Sequence, residues 1–320
     1  SPRVTNNLPH PTGRALWRTG RVTLVFAFCL VVACAPDERA TDALTVAVSV
    51  PPQAYFVDRI GGPRVRTEVM IPPGASETSY SPSPRQLVAL SRAALYVKVG
   101  HPAFLFEANH VDRFLAEHPE LRVVDMSQGI PSLASSAAEG RLEPAGLFGD
   151  DHDHDNHAQG DPHIWVAPGT VRIAAANIAK ALVDLDPAHA AEYRERLALF
   201  LSDIEALDRK IRSELASATS RKFMVYHPSW GYFAHEYGLE QVAIEAEGRE
   251  PSAAQIIELV ERGRSEKIKT VFVQRGFARK SAEVIAEELG GRVVVVDPMS
   301  YDWLLSLRTA AHAFRDALSG

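Results

Sequence analysis

Residues Asp150–Trp165 read Asp-Asp-His-Asp-His-Asp-Asn-His-Ala-Gln-Gly-Asp-Pro-His-Ile-Trp. Neutral imidazole and carboxylate are the side chains that ligate borderline divalent cations such as zinc. The first half of the run offers no apolar residue to a core, which predicts a mobile, solvated loop. There His152, His154 and His157 would gather metal weakly. The second half closes on Ile164-Trp165-Val166, apolar enough to be buried, so His163 is the histidine that a fold can hold rigidly. A polar surface loop with incidental histidines is the plainer alternative, because a His-rich tract is a compositional signal.

A chain of 320 residues is long for one hydrophobic core, and two domains are the natural expectation. The net charge of −6 gives no basic surface for nucleic acid. The two cysteines, Cys29 and Cys34, both lie near the N-terminus, so neither a disulfide nor a cysteine zinc site supports the fold. Arg14, Arg18 and Arg21 precede an apolar run from Val22 to Cys34 that is too short to span a bilayer comfortably. That run ends in Val31-Val32-Ala33-Cys34, which resembles a bacterial lipobox. The resemblance implies a lipoprotein signal peptide over 1–33, cleavage before Cys34, and lipidation of that cysteine. A plain signal peptide cut after Ala33 or Ala35 and a short membrane anchor are the alternatives. All three export the chain, to the periplasm or the outer face of the membrane. Two acyl chains would give the firm anchoring that a peripheral protein needs. Residues 34–43 read as a polar tether.

The elements that must position His163 follow from periodicity. Strands are expected at Leu44–Val50, Val65–Ile71, Leu95–Val99 and Leu121–Asp125. Helices are expected between them at Gln53–Ile60, Pro84–Ala93 and Ala103–Glu117. Val171–Val183 reads as a helix. From Pro187 to about Ala218, Tyr193, Leu197, Phe200, Ile204, Leu207, Ile211 and Leu215 recur at steps of three and four. They predict one long uninterrupted helix. Alternation then resumes, with strands at Lys222–Tyr226, Gln241–Ile244, Lys269–Gln274 and Arg292–Val296. Helices are expected at Trp230–Tyr237, Ser252–Arg264, Ser281–Leu289 and Trp303–Leu318. The expected fold is α/β: two lobes with parallel four-stranded sheets, 44–186 and 219–320, joined by a single rigid helix over 187–218.

Ligands of open α/β sheets sit beyond the carboxyl ends of the strands. His227 follows the Lys222–Tyr226 strand, and Asp297 follows Arg292–Val296. Glu77 and Thr78 follow the second strand by one short loop. Two of these positions lie before the long helix and two after it, counting His163. If the lobes face each other, all meet in the cleft. Taken singly, His227-Pro228 and Asp297-Pro298 read as ordinary strand-ending turns.

Taken together, Pro73-Gly74-Ala75-Ser76, Tyr80-Ser81-Pro82-Ser83-Pro84, Asp161-Pro162-His163-Ile164-Trp165, Tyr226-His227-Pro228-Ser229-Trp230-Gly231-Tyr232-Phe233 and Val296-Asp297-Pro298 resemble the zinc/manganese solute-binding proteins of bacterial ABC transporters. The likeness runs in order from about residue 44 to 318. It implies that His163, His227 and Asp297 ligate a metal in the inter-lobe cleft, and that a membrane permease receives it. The family carries a histidine where this chain has Thr78. Glu77 beside it is the expected fourth ligand, with His101 of Val99-Gly100-His101-Pro102 or a water as alternatives. Two histidines and one or two carboxylates suit Zn²⁺, and admit Mn²⁺ or Fe²⁺. The expected protein is a monomer, not an enzyme. An exported zinc hydrolase is the rival from another class, and a metal-sequestering surface lipoprotein is a third reading. Against the hydrolase, the chain has no His-Glu-x-x-His helix.

Overall fold

The computed structural model describes residues 43–134, 160–245, 249–277 and 279–319. The lipobox with Cys34 and the loop histidines His152, His154 and His157 lie outside the described residues.

The first lobe is built on β1 (Leu44–Val48), β2 (Val65–Val69), β3 (Leu95–Lys98) and β4 (Arg122–Asp125). The second is built on β5 (Lys222–Val225), β6 (Glu240–Ala243), β7 (Thr270–Val273) and β8 (Arg292–Val295). Both sheets are fully parallel, ordered β2-β1-β3-β4 and β6-β5-β7-β8. Parallel strands are covered on both faces, which is why the central ones read as continuous apolar runs. The helices are α1 (Pro51–Gly61), α2 (Pro84–Ser91), α3 (Asp112–Glu117), α4 (Pro168–Leu185), α5 (Ala190–Leu215), α6 (Gly231–Tyr237), α7 (Ala253–Ser265), α8 (Lys280–Glu288) and α9 (Trp303–Leu318).

The long helix α5 runs for 26 residues, about 39 Å at 1.5 Å per residue. A separate 3-10 turn at Pro187–His189 precedes it, where the Asp186 carboxylate accepts from His189 Nδ1 and the Tyr193 hydroxyl. Tyr193, Phe200, Ile204, Leu207, Ile211 and Leu215 form its buried stripe. The helix expected over Ala103–Glu117 is less regular. Glu107–Val111 forms a π turn before α3, and Glu107 at its start accepts the Val99 and Gly100 amides at 2.6 and 3.0 Å. A buried carboxylate reaching back to cap a strand end accounts for the extra residue in that turn.

The two lobes share one core. A single apolar cluster runs from Val46 and Phe56 of the first lobe, through Phe200 and Ile204 of α5, to Phe272, Trp303 and Phe314 of the second. A smaller cluster covers the other face of the second sheet, through Met224, Val242, Val271 and Ile285. Polar ties cross between the lobes as well. The Trp165 indole donates to the Pro298 carbonyl at 2.9 Å, and the Tyr232 hydroxyl donates to the Pro131 carbonyl at 3.0 Å. Among the described residues, no helix is long and apolar enough to cross a membrane.

Candidate metal centre

In each sheet the strand order reverses between two central strands, β1 and β3 in one and β5 and β7 in the other. Crevices open beyond the carboxyl ends at such points. His227 stands two residues beyond β5. Its backbone is set by the Tyr226 amide donating to Phe272 O and the Ser229 amide donating to His227 O, both at 2.8 Å. From the first lobe come Glu77, in the loop after β2, and His163, just ahead of a 3-10 turn at Ile164–Val166. All three are buried, none more than 8% exposed.

Their ligating atoms converge. His163 Nε2 and His227 Nε2 are 3.2 Å apart, and Glu77 Oε1 lies 3.5 Å from each. Tetrahedral zinc with bonds of about 2.0–2.1 Å sets its donor atoms about 3.3 Å apart. The three side chains therefore already stand near the separations of three corners of such a tetrahedron.

Each imidazole is oriented from behind. Asp161 Oδ1 accepts from His163 Nδ1 at 2.7 Å and from the His163 amide at 2.9 Å. Glu245 Oε1 accepts from His227 Nδ1 at 2.5 Å. Each Nδ1 keeps its proton for a carboxylate, and each Nε2 is left to face the cleft. Phe277 stacks on the His227 ring at 4.8 Å. The electrostatics are those of a site that attracts positive charge. Burial alone would lower the His227 pKa, but its hydrogen bonds to Glu245 and Glu77 outweigh burial and push it up to about 9. Burial opposes the same change at His163, where Asp161 and Glu77 nevertheless raise the pKa. Burial would raise Glu77, yet the two histidines hold its carboxyl well below the usual range.

The structure separates the other expected ligands from this cluster. Thr78 is exposed, with its hydroxyl on Ser76 Oγ at 2.8 Å, so the side chain at the family's histidine position faces solvent. Asp297 is half-buried at the cleft, accepting the Met299 amide at 3.0 Å and lying 3.7 Å from Arg275 Nε. Burial raises its pKa and the nearby charge of Glu77 adds to this, against the Met299 amide and Arg275. It is outside the group of mutually close donors formed by Glu77, His163 and His227. His101 is buried, and its Nδ1 accepts the Ala103 amide at 3.2 Å, the geometry of a turn histidine. Its pKa is lowered by burial, against the charge of Asp161.

The sequence did not single out Glu245, Gln274 or the orienting role of Asp161. The strand-end rule that finds His227 and Asp297 also reaches Glu245, two residues past β6, and Gln274, immediately past β7. Asp161 is signalled by its place two residues before His163, where an Asp side chain folds back on its own backbone.

The comparisons agree with this architecture. Residues 46–317 match the model of the zinc-uptake complex component A periplasmic family, ZnuA. The chain belongs to the ZnuA family. A solved structure of ZnuA superposes with a TM-score of 0.77 at 37% identity, covering 87% of this chain and all of that one. A zinc-bound deletion mutant of ZnuA gives the same score and identity, over 87% of this chain and 99% of that one. Among curated relatives, a putative metal-binding protein of Treponema pallidum is 26% identical, over 81% of this chain and 80% of its own length. The high-affinity zinc uptake system protein ZnuA of Bacillus subtilis is 23% identical, over 88% of each. ZnuA-family chains are solute-binding proteins of metal transport, and the two parallel four-stranded lobes with a long helix are their fold.

Proposed function

We propose that this chain captures Zn²⁺ outside the cytoplasm in the cleft between its lobes and hands it to an ABC-type membrane permease. The observation that carries this is the convergence of Glu77, His163 and His227, three buried donors from both lobes with ligating atoms 3.2–3.5 Å apart. Glu77 takes the place that a histidine holds in the family, because Thr78 points to solvent. Asp297 supplies the fourth ligand by exchanging its contact with Arg275 for the cation. Mn²⁺ and Fe²⁺ are compatible with one carboxylate more than zinc needs. His152, His154 and His157 collect metal weakly and raise its concentration near the cleft. Cys34 carries the lipid that keeps the monomer at the membrane surface.

A hydrolytic zinc site needs a base free to activate water. The carboxylates nearest these histidines, Asp161 and Glu245, are occupied in holding Nδ1. That favours binding over hydrolysis. The test is zinc accumulation by zinc-starved cells of the source bacterium lacking this chain. Restoring the chain recovers uptake, the His227→Ala form does not, and the form lacking 151–157 recovers it more slowly. Unchanged uptake in the deletion strain would remove the transport reading and leave sequestration or catalysis.

A further inference from the structure

We infer that Gln274 sets the metal preference of the site by keeping Glu77 a one-oxygen ligand. This rests on the reading of the cleft as a metal site. Gln274 is 4% exposed and sits on the second lobe immediately beyond β7. Its amide nitrogen reaches across the cleft to the first lobe, lying 3.3 Å from Glu77 Oε1 and 3.5 Å from Oε2. Which end of that amide faces Glu77 is settled by the carboxylate, which only accepts and so takes the N–H groups. The amide oxygen is then turned toward the buried Ser229 hydroxyl, which donates to it at 3.1 Å.

Glu77 Oε1 is the oxygen that faces both imidazoles, 3.5 Å from His163 Nε2 and from His227 Nε2. The Gln274 amide nitrogen stands nearly midway between Oε1 and Oε2, where a single cation would sit to take both oxygens. A carboxylate that ligates through both oxygens adds a donor and favours ions that take more than four ligands, as Mn²⁺ does in oxygen-rich octahedral sites. A carboxylate with an N–H donor filling the space between its two oxygens cannot chelate and contributes one donor, which suits tetrahedral zinc. The buried amide therefore discriminates between metals without touching either. It also links the lobes through the ligand itself, since Gln274 comes from one lobe and Glu77 from the other.

The test compares dissociation constants for Zn²⁺ and Mn²⁺, measured by competition with a chromogenic chelator, in the parent chain and in Gln274→Met. Methionine keeps the length of the side chain and removes the donor. The expected result is weaker zinc binding by about 10- to 100-fold, the usual effect of losing an outer-shell partner. Manganese binding is expected to be unchanged or tighter, so the preference for zinc falls. The visible absorption of the Co²⁺-loaded variant should weaken, as it does when tetrahedral cobalt gains ligands. Ser229→Ala leaves Gln274 in place and frees its amide, and is expected to move the preference in the same direction by a smaller factor. If Gln274→Met does not fold, the Ser229→Ala ratio decides. Equal weakening of both metals, or an unchanged ratio with an unchanged cobalt spectrum, would overturn the role of Gln274. Failure of the parent chain to bind either metal would instead overturn the site.

Discussion

At the scale of single residues, two imidazoles and a carboxylate are held within hydrogen-bond range, away from water. Without metal this arrangement is balanced by protons. The His227 pKa of about 9 lies above the ordinary 6.5, so a proton on His227 stabilises the metal-free fold. That contribution is fully present below pH 6.5 and is lost as the pH rises through 9. Glu77 behaves in the opposite sense, contributing above its ordinary pKa of 4.5 and losing the contribution as the pH falls below it. Metal needs the bare Nε2, so zinc affinity should climb over the interval in which metal-free stability falls. Melting of the metal-free protein between pH 6 and 9.5 should show a declining Tm. Calorimetry in buffers of different ionisation heat should show proton release on zinc binding near pH 7. A flat Tm and no proton release would contradict the geometry behind these shifts.

At the scale of elements, periodicity made most of the fold legible. Ser252 is the N-cap of α7, with its hydroxyl accepting the Gln255 amide, and α9 spans Trp303–Leu318 as its apolar spacing predicts. The residues at Pro187–His189 and Glu107–Val111 departed from ideal helix because buried or half-buried carboxylates, Asp186 and Glu107, take backbone and side-chain donors there. Such side-chain bonds leave no periodic trace. The stripe on α5 gave the helix but not its partners. Phe200 packs within 6.2 Å of Tyr55, Phe56 and Trp303, tying α5 to both lobes. Phe200→Ala should cost about 3–5 kcal/mol, as large-to-small changes of buried aromatics do. Chemical denaturation would measure it, and a cost below about 1 kcal/mol would mean that α5 is a peripheral strut rather than the shared spine.

At the scale of the whole molecule, the sequence pointed to two lobes and to a cleft where residues from both sides meet. It did not reveal the continuous core beneath that cleft, because apolar spacing reports which face is buried and not against what. The shared core and the ties from Trp165 to Pro298 and from Tyr232 to Pro131 argue for small adjustments around a preformed site rather than a wide hinge. His163 was legible at the buried end of the His-rich run, and His227, Asp297 and Glu77 as a set of positions beyond strand ends. Glu77 was nominated over Thr78 from chemistry alone, and the structure turns it into the cleft. Glu245 left no signal because the strand it follows carries no histidine, and Asp161 stood in the Asp-Pro-His motif without its bond back to His163 being readable from sequence.

The most direct measurement is zinc content by elemental analysis, with the dissociation constant, for the soluble chain that begins after Cys34. Glu77→Ala, Thr78→Ala and Asp297→Ala would be measured beside it. One tightly bound zinc is expected in the parent and in Thr78→Ala, whose side chain faces solvent. Loss of that zinc is expected in Glu77→Ala, and a weaker but measurable site in Asp297→Ala. Tight zinc retained in Glu77→Ala, or none in the parent chain, would contradict the claim that Glu77, His163 and His227 form the metal centre.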